Sequence, residues 1–174
     1  AASVGEYALF GGGGGGSLGK TDYAAVDAYN ASLVRSTPAE LTAARSNLAA
    51  ASVGEYALFG GGGEISVSSD VNYAVVDAYN ASLVRSTPAG LSAARHGLAA
   101  ATVGEYAVFC GGDNDIDYSA VADAYNASLV RSAPAALSAA RYDMASVTIG
   151  NYALFGGGYG ADGRSAAVDV YQVD

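Results

Sequence analysis

The chain has 174 residues, a net charge of −9 and a hydrophobic share of 51%, enough for one cored domain and too apolar for disorder. Seventeen acidic against 8 basic residues argue against a nucleic-acid backbone or an anionic membrane as the partner. No apolar run reaches the length of a transmembrane helix, and the lone Cys110 can form no internal disulfide and sets no redox compartment.

Ala1-Ala2-Ser3-Val4 lacks the basic segment and long apolar run of a signal peptide, and no initiator Met precedes it, as expected of a chain processed or cut from something longer. It leads through Gly5-Glu6 into Tyr7-Ala8-Leu9-Phe10, and a Gly-Glu pair between two apolar runs predicts a two-residue hairpin with Gly first. The Tyr-Ala-(Leu/Val)-Phe block returns at Tyr56, Tyr106 and Tyr152. A Val-Asp-Ala-Tyr-Asn block, or close to it, is centred on Asp27, Asp77, Asp123 and Asp169. From each Asp to the next Phe the spacing is always 32, whereas from Phe10, Phe59, Phe109 and Phe155 to the following Asp it is 17, 18, 14 and 14. One loop per repeat changes length and the rest is fixed, as in a solenoid or propeller whose insertions collect on one face.

In the second repeat, Glu55 to Phe59 reads as a strand ended by the glycines from Gly60 to Gly63, apolar enough to be covered on both faces. Tyr73 to Tyr79 is a further strand, Asn80-Ala81-Ser82 a turn, and Leu83 to Ser86 a weaker strand. Leu98 to Val103 then leads through Gly104-Glu105 into Tyr106. That makes four short strands per repeat, the pattern of a propeller blade. A helix competes for the link: Thr37-Pro38-Ala39-Glu40 combines a capping box with Pro at the first helical position, ahead of an Ala-rich run. An α/β solenoid would use it at about 38–50, 88–100 and 134–146, but Glu40 becomes Gly90 and Ala136 in the other copies, and the box is lost.

These residues resemble the kelch family, which has a diglycine after an apolar strand, a later strand with a late Tyr, and a link carrying Pro and Arg. The diglycine is matched at Gly11-Gly12, Gly60-Gly61, Gly111-Gly112 and Gly156-Gly157, the Tyr at Tyr29, Tyr79, Tyr125 and Tyr171, and the Arg at Arg45, Arg95 and Arg141. The resemblance spans essentially the whole chain and departs from the family in lacking its usual Trp, with Leu33-Val34, Leu83-Val84 and Leu129-Val130 near that place. The Ala-rich, near-identical copies are similar to kelch-like proteins of bacteria and their phages. The resemblance implies an all-β fold of kelch-like β-propeller blades, about four four-stranded blades with the first and last incomplete. They lie near 1–45, 46–95, 96–141 and 142–174 in a single repeat domain over 1–174.

Chemistry is sparse. His96 aligns with Ser46 and Tyr142, so its position is free within the repeat, and Cys110 aligns with Gly11, Gly60 and Gly156 as a tolerated small residue. No His/Cys cluster suggests zinc, and no spacing suggests a catalytic set. Asp113-Asn114-Asp115-Ile116-Asp117 alternates oxygen ligands as calcium loops do, but lacks the Gly at the sixth position and the Glu at the twelfth, and reads as a solvated polar loop. Asn30-Ala31-Ser32, Asn80-Ala81-Ser82 and Asn126-Ala127-Ser128 match the glycosylation pattern and read as turns. The repeated Arg reads as a structural group bonding carbonyls between blades. Neither a cofactor nor a metal is expected, and the chain reads as a scaffold rather than an enzyme.

Four antiparallel strands place the variable segments (Ser17 to Tyr23, Glu64 to Asn72, Asp113 to Tyr118, Tyr159 to Ser165) and the variable link pairs Ser46-Asn47, His96-Gly97 and Tyr142-Asp143 on one face. The Gly-Glu hairpins and Asn-Ala-Ser turns lie on the other, nearly uniform face. Binding candidates are therefore Lys20, Asp22, Glu64, Asp70, His96, Asp113, Asp115, Asp117, Tyr142 and Arg164. The expected partner is a protein or a second copy in a ring or filament, with no nucleic acid or membrane; the alternative is a glycan, bound by a lectin or processed by a propeller enzyme. The end repeats are expected to leave Tyr7, Leu9 and Phe10 on one side and Tyr152, Leu154 and Phe155 on the other as exposed flanks.

Overall fold

The computed structural model describes residues 1–15, 21–64 and 71–173, and among them there is no helix. The chain is all-β. The described residues form three four-stranded antiparallel sheets, one three-stranded sheet and three two-stranded ribbons. Sheet 1 holds Ala2–Val4, Tyr7–Gly11, Val26–Tyr29 and Arg35–Ser36. Sheet 2 holds Ala49–Val53, Tyr56–Gly60, Val76–Asn80 and Arg85–Ser86, and sheet 3 holds Ala99–Val103, Tyr106–Cys110, Ala122–Asn126 and Arg131–Ser132. Sheet 4 holds Ala145–Ile149, Tyr152–Gly156 and Val168–Gln172, without a fourth strand among the described residues.

The first two strands of each sheet join at the expected hairpin. Val4 pairs with Tyr7 across Gly5-Glu6, and Gly5 has φ +52° while Glu6 does not turn positive, as a II′ turn requires. The third strand begins at Val76, not Tyr73, because Tyr73 to Val75 bond to the glycine loop instead, Gly61 N–H donating to Val75 O and Tyr73 N–H to Gly62 O. The fourth strand shrinks to Arg85–Ser86 because Leu83 sits at φ +60°. There Asn80 Oδ1 accepts from the N–H groups of Ser82 and Val84, both at 3.0 Å, so the Asn-Ala-Ser turn closes on its own side chain.

The links are extended, not helical. Their backbone groups are claimed by neighbours: Leu41 N–H donates to Ala24 O, Arg45 N–H to Tyr23 O, and Ala39 O accepts from the Tyr79 hydroxyl. Tertiary hydrogen bonds thus override the helix propensity of the Ala-rich run. Leu41, Leu91 and Leu137 anchor each link in the core.

Strand alternation gives each sheet two faces. The forward face, toward the next repeat, carries Ala51, Val53, Leu58, Val76 and Ala78 in sheet 2; the rear face carries Ala57, Phe59, Asp77 and Tyr79, and all nine are buried. Three clusters form the core, each built by one sheet's forward face and the next sheet's rear face. At the ends this corrects the expected flanks. Leu9 is buried on the forward face of sheet 1 while Phe10 on its rear face is 53% exposed. Phe155, on the rear of sheet 4, is buried, and its exposed forward face is Val147, Ile149, Tyr152, Val168 and Val170.

The diglycine is explained by one close approach. Gly62 N–H donates to Arg95 O at 3.0 Å, and a Cβ on Gly61, at φ +68°, would stand 2.7 Å from that same oxygen. Gly12-Gly13 meets Arg45 O and Gly111-Gly112 meets Arg141 O in the same way, and Gly157-Gly158 shares their positive φ. The register expected from sequence was therefore one residue early in three repeats.

Candidate functional site

Two polar constructions stand out, one holding the repeats together and one spread over the loop face.

The first is a buried Arg–Asp clasp. The Asp at the centre of each third strand would be a bare charge in an apolar face, and the preceding link supplies its partner. Arg45 Nη2 lies 2.9 Å from Asp77 Oδ2 with both side chains fully buried, and Arg95 Nη2 lies 2.9 Å from Asp123 Oδ2. Arg141 pairs likewise with Asp169. Thr42 and Ser92 add backbone and hydroxyl donors to Asp77 and Asp123, and Ser138 N–H donates to Asp169. Arg95 also donates to Gly111 O, Ala93 O and Phe109 O, so its fork ties link, loop and strand together. Burial works against the charge of Asp123, yet the hydrogen bond from Arg131 and then the charge of Arg95 hold its carboxyl below the usual carboxylate range. The link Arg is thus the inter-repeat carbonyl binder expected from sequence, with an ion pair added. Cys110 is buried beside this layer, and burial pushes its thiol up to about 12, leaving it a thiol and not a nucleophile.

The second is the loop face. Each link strand pairs with the loop of the next repeat: Ser46 bridges Gly63, His96 bridges Asp113 and Tyr142 bridges Tyr159. Gly97 N–H donates to Asn47 O and Asp143 N–H to Gly97 O, with all three residues at positive φ, a conformation that Asn, Gly and Asp tolerate. The described residues of the variable segments and the variable links therefore share one face.

Along it, Asp22 lies in the ribbon Gly14–Gly15 with Thr21–Asp22, next to Ser46. Glu64 accepts from the Tyr73 hydroxyl at 3.1 Å. His96 Nδ1 lies 2.7 Å from Asn72 Oδ1, and Asn72 Nδ2 donates to Asp115 Oδ2 at 2.6 Å, so these three form a chain across two repeats. Asp113 caps its own loop by accepting from Asp115 N–H, and Asn114 Oδ1 accepts from Ile116 and Asp117 N–H; the Asp117 side chain faces a depression shared with Tyr118, Ala140 and Ala161. Tyr142 stacks between Tyr118 (centroids 5.1 Å apart) and Tyr159 (5.7 Å), and Arg164 lies 5.9 Å over the Tyr159 ring. Lys20 and Asp70 lie outside the described residues.

Of the sequence candidates, the structure joins His96 to Asp115 through Asn72, and Tyr142 to Arg164 through Tyr159. Glu64 is joined to Tyr73. Asn72, Tyr118 and Tyr159 were missed. The available signal was that all three stand at the edges of variable segments and that two of them are aromatic, as the candidate Tyr142 is. No family model matches the chain, and no curated protein matches it.

Proposed function

We propose that this chain is an arc of kelch-like β-propeller blades acting as a non-catalytic scaffold, with its partner held on the loop face around Tyr118, Tyr142 and Tyr159. The observation carrying this is that the length changes within a copied unit fall in one loop per repeat, whose described residues lie beside the variable link pairs in one band, while the repeated link Arg and strand Asp are paired in the clasp. Four successive antiparallel sheets joined by extended links, each with its first strand beside the next, are what a propeller arc requires. The band carries Glu64, Asp113, Asp115 and Asp117 beside a tyrosine stack already capped by one guanidinium, which suits a protein surface offering Lys or Arg side chains.

Peptide and glycan arrays probed with the intact chain test this. Expected are hits on Arg- and Lys-rich peptides that vanish in a Tyr118→Ser/Tyr142→Ser/Asp117→Asn variant with an unchanged melting curve. Binding that survives these changes and is lost on replacing Glu6, Glu55 and Glu105 would place the partner on the other face. Selective glycan binding or hydrolysis would favour the lectin or enzyme reading instead.

A further inference from the structure

Three slots recur along the loop face: the closing residue of one loop, the link residue beside it and the opening residue of the next loop. Between sheets 2 and 3 they hold Asn72, His96 and Asp113, and between sheets 3 and 4 they hold Tyr118, Tyr142 and Tyr159. We propose that the depression beside Tyr118 is a subsite for one arginine side chain of the partner, its guanidinium laid against the Tyr118 ring and bonded by the carboxylates around it. This rests on the loop-face reading and narrows its partner from a basic surface to one that presents arginine.

Each part of an arginine side chain has a counterpart there. Tyr118 and Ile116 line a depression of about 440 Å³ together with three carboxylates, Asp113, Asp115 and Asp117. One side of the Tyr118 ring is stacked on Tyr142, yet the residue stays 40% exposed, and among the described residues no ring or guanidinium covers its other side. The far end of the same stack shows what such a face takes: the Arg164 guanidinium lies 5.9 Å from the centroid of Tyr159. Ile116 is 86% exposed and gives the methylene stem an apolar wall. The charges complete the match. Six of the seven arginines are paired with strand carboxylates, and the seventh is Arg164. Among the described residues no cation pairs with Asp113, Asp115 or Asp117, so in a chain of net charge −9 the depression favours an incoming cation.

The acceptors are fixed before any partner arrives. Asp113 is bridged on two sides, to His96 and to Tyr118, and Asn72 Nδ2 from the neighbouring repeat holds Asp115 Oδ2 at 2.6 Å. His96 in turn holds Asn72, so this polar chain positions the carboxylates and lowers the ordering cost of binding. Arginine is selected over lysine because its planar fork stacks on a ring and bonds carboxylates at the same time, whereas a compact ammonium gains from charge without stacking.

NMR titration of the intact chain with a blocked Gly-Arg-Gly-Arg-Gly peptide and its Gly-Lys-Gly-Lys-Gly counterpart reads this, at roughly 0.15 M salt so that unspecific attraction is screened. The arginine peptide is expected to bind about three- to fivefold more tightly, with its δ-methylene protons moved upfield by the ring. Tyr118→Leu abolishes the preference and the upfield shift and leaves the lysine peptide's affinity unchanged, while Tyr118→Phe keeps both. Asp117→Asn weakens the two peptides alike. Both positions are exposed, so the variants keep the wild-type melting midpoint. Two peptides that bind the wild-type chain equally well overturn the arginine subsite and leave the basic-partner reading standing, and so does a preference that survives Tyr118→Leu. Binding of neither peptide overturns the subsite together with the basic-partner reading.

Discussion

Asp27 and Asp123 hold the same place in sheets 1 and 3 and differ only in what surrounds them. Asp123 is fully buried and meets Arg95, Arg131 and both donors of Ser92; Asp27 is a third exposed and, among the described residues, meets Arg35, itself more than half exposed. Phe109 and Phe10 repeat the contrast, buried against 53% exposed, although each stacks edge-on against the Tyr of its own sheet. Sequence identity within a repeat therefore fixes a residue's direction, while the neighbouring repeat decides its energy. A copied unit can carry its full complement of core residues and still be incomplete until a second unit covers it.

Two substitution pairs break this comparison most sharply. Asp123→Ala strands the buried Arg95 guanidinium and is expected to cost about 3–5 kcal/mol, while Asp27→Ala, at a screened surface pair, costs a small fraction of that. Chemical denaturation of both variants checks it, and equal losses would mean that burial does not set the value of the pair. Phe109→Ala is likewise expected to cost about 3–5 kcal/mol. Phe10→Ala, at a ring 53% exposed, should cost a small fraction of that.

The acid limb gives a smaller effect. The Asp123 carboxyl is held below its ordinary value, so the stability it contributes is fully present above the unfolded-state value of about 3.9 and is lost as pH falls through the lowered folded value. Wild-type stability should fall below about pH 4. Asp123→Asn, which starts lower, should show a shallower fall there. An acid limb unchanged by Asp123→Asn would remove the buried pair as its source.

The strands and hairpins were legible because they rest on short-range rules. Gly first in a two-residue turn, Asn closing a turn on itself and alternation of apolar side chains each involve neighbours in sequence. What stayed hidden depended on partners roughly thirty residues away. The repeated Asp and the repeated link Arg were both visible, but pairing Arg45 with Asp77 needs the sheets side by side. The signal was present: a carboxylate in the middle of an apolar strand demands a cation, and few repeated cations exist to supply it. The diglycine register was misplaced because a run such as Gly60 to Gly63 contains no internal landmark, and only the approach of the Arg95 carbonyl selects Gly61. The helix that competed for the links does not form because a capping box describes local preference, and here Tyr79, Ala24 and Tyr23 compete for the same backbone groups.

The smallest effect is also the one whose sign reverses between regions. Leu33, Leu83 and Leu129 all sit near φ +60°, where a branched side chain is strained and glycine is not. The strain is the same in each turn, but the compensation differs, since Leu83 packs on the cluster of the preceding repeat and Leu33 is 80% exposed. Leu33→Gly therefore relieves strain without losing buried surface and should stabilise the chain by about 0.5–1 kcal/mol, after the entropy that glycine adds to the unfolded state. Leu83→Gly gains the same relief but gives up partly buried apolar area, and should destabilise by about 1 kcal/mol. Thermal melts of the two variants, recorded under conditions that keep the chain monomeric, should move in opposite directions. A parallel shift would mean that the conformation of the turn, and not the presence of a covering repeat, governs these leucines.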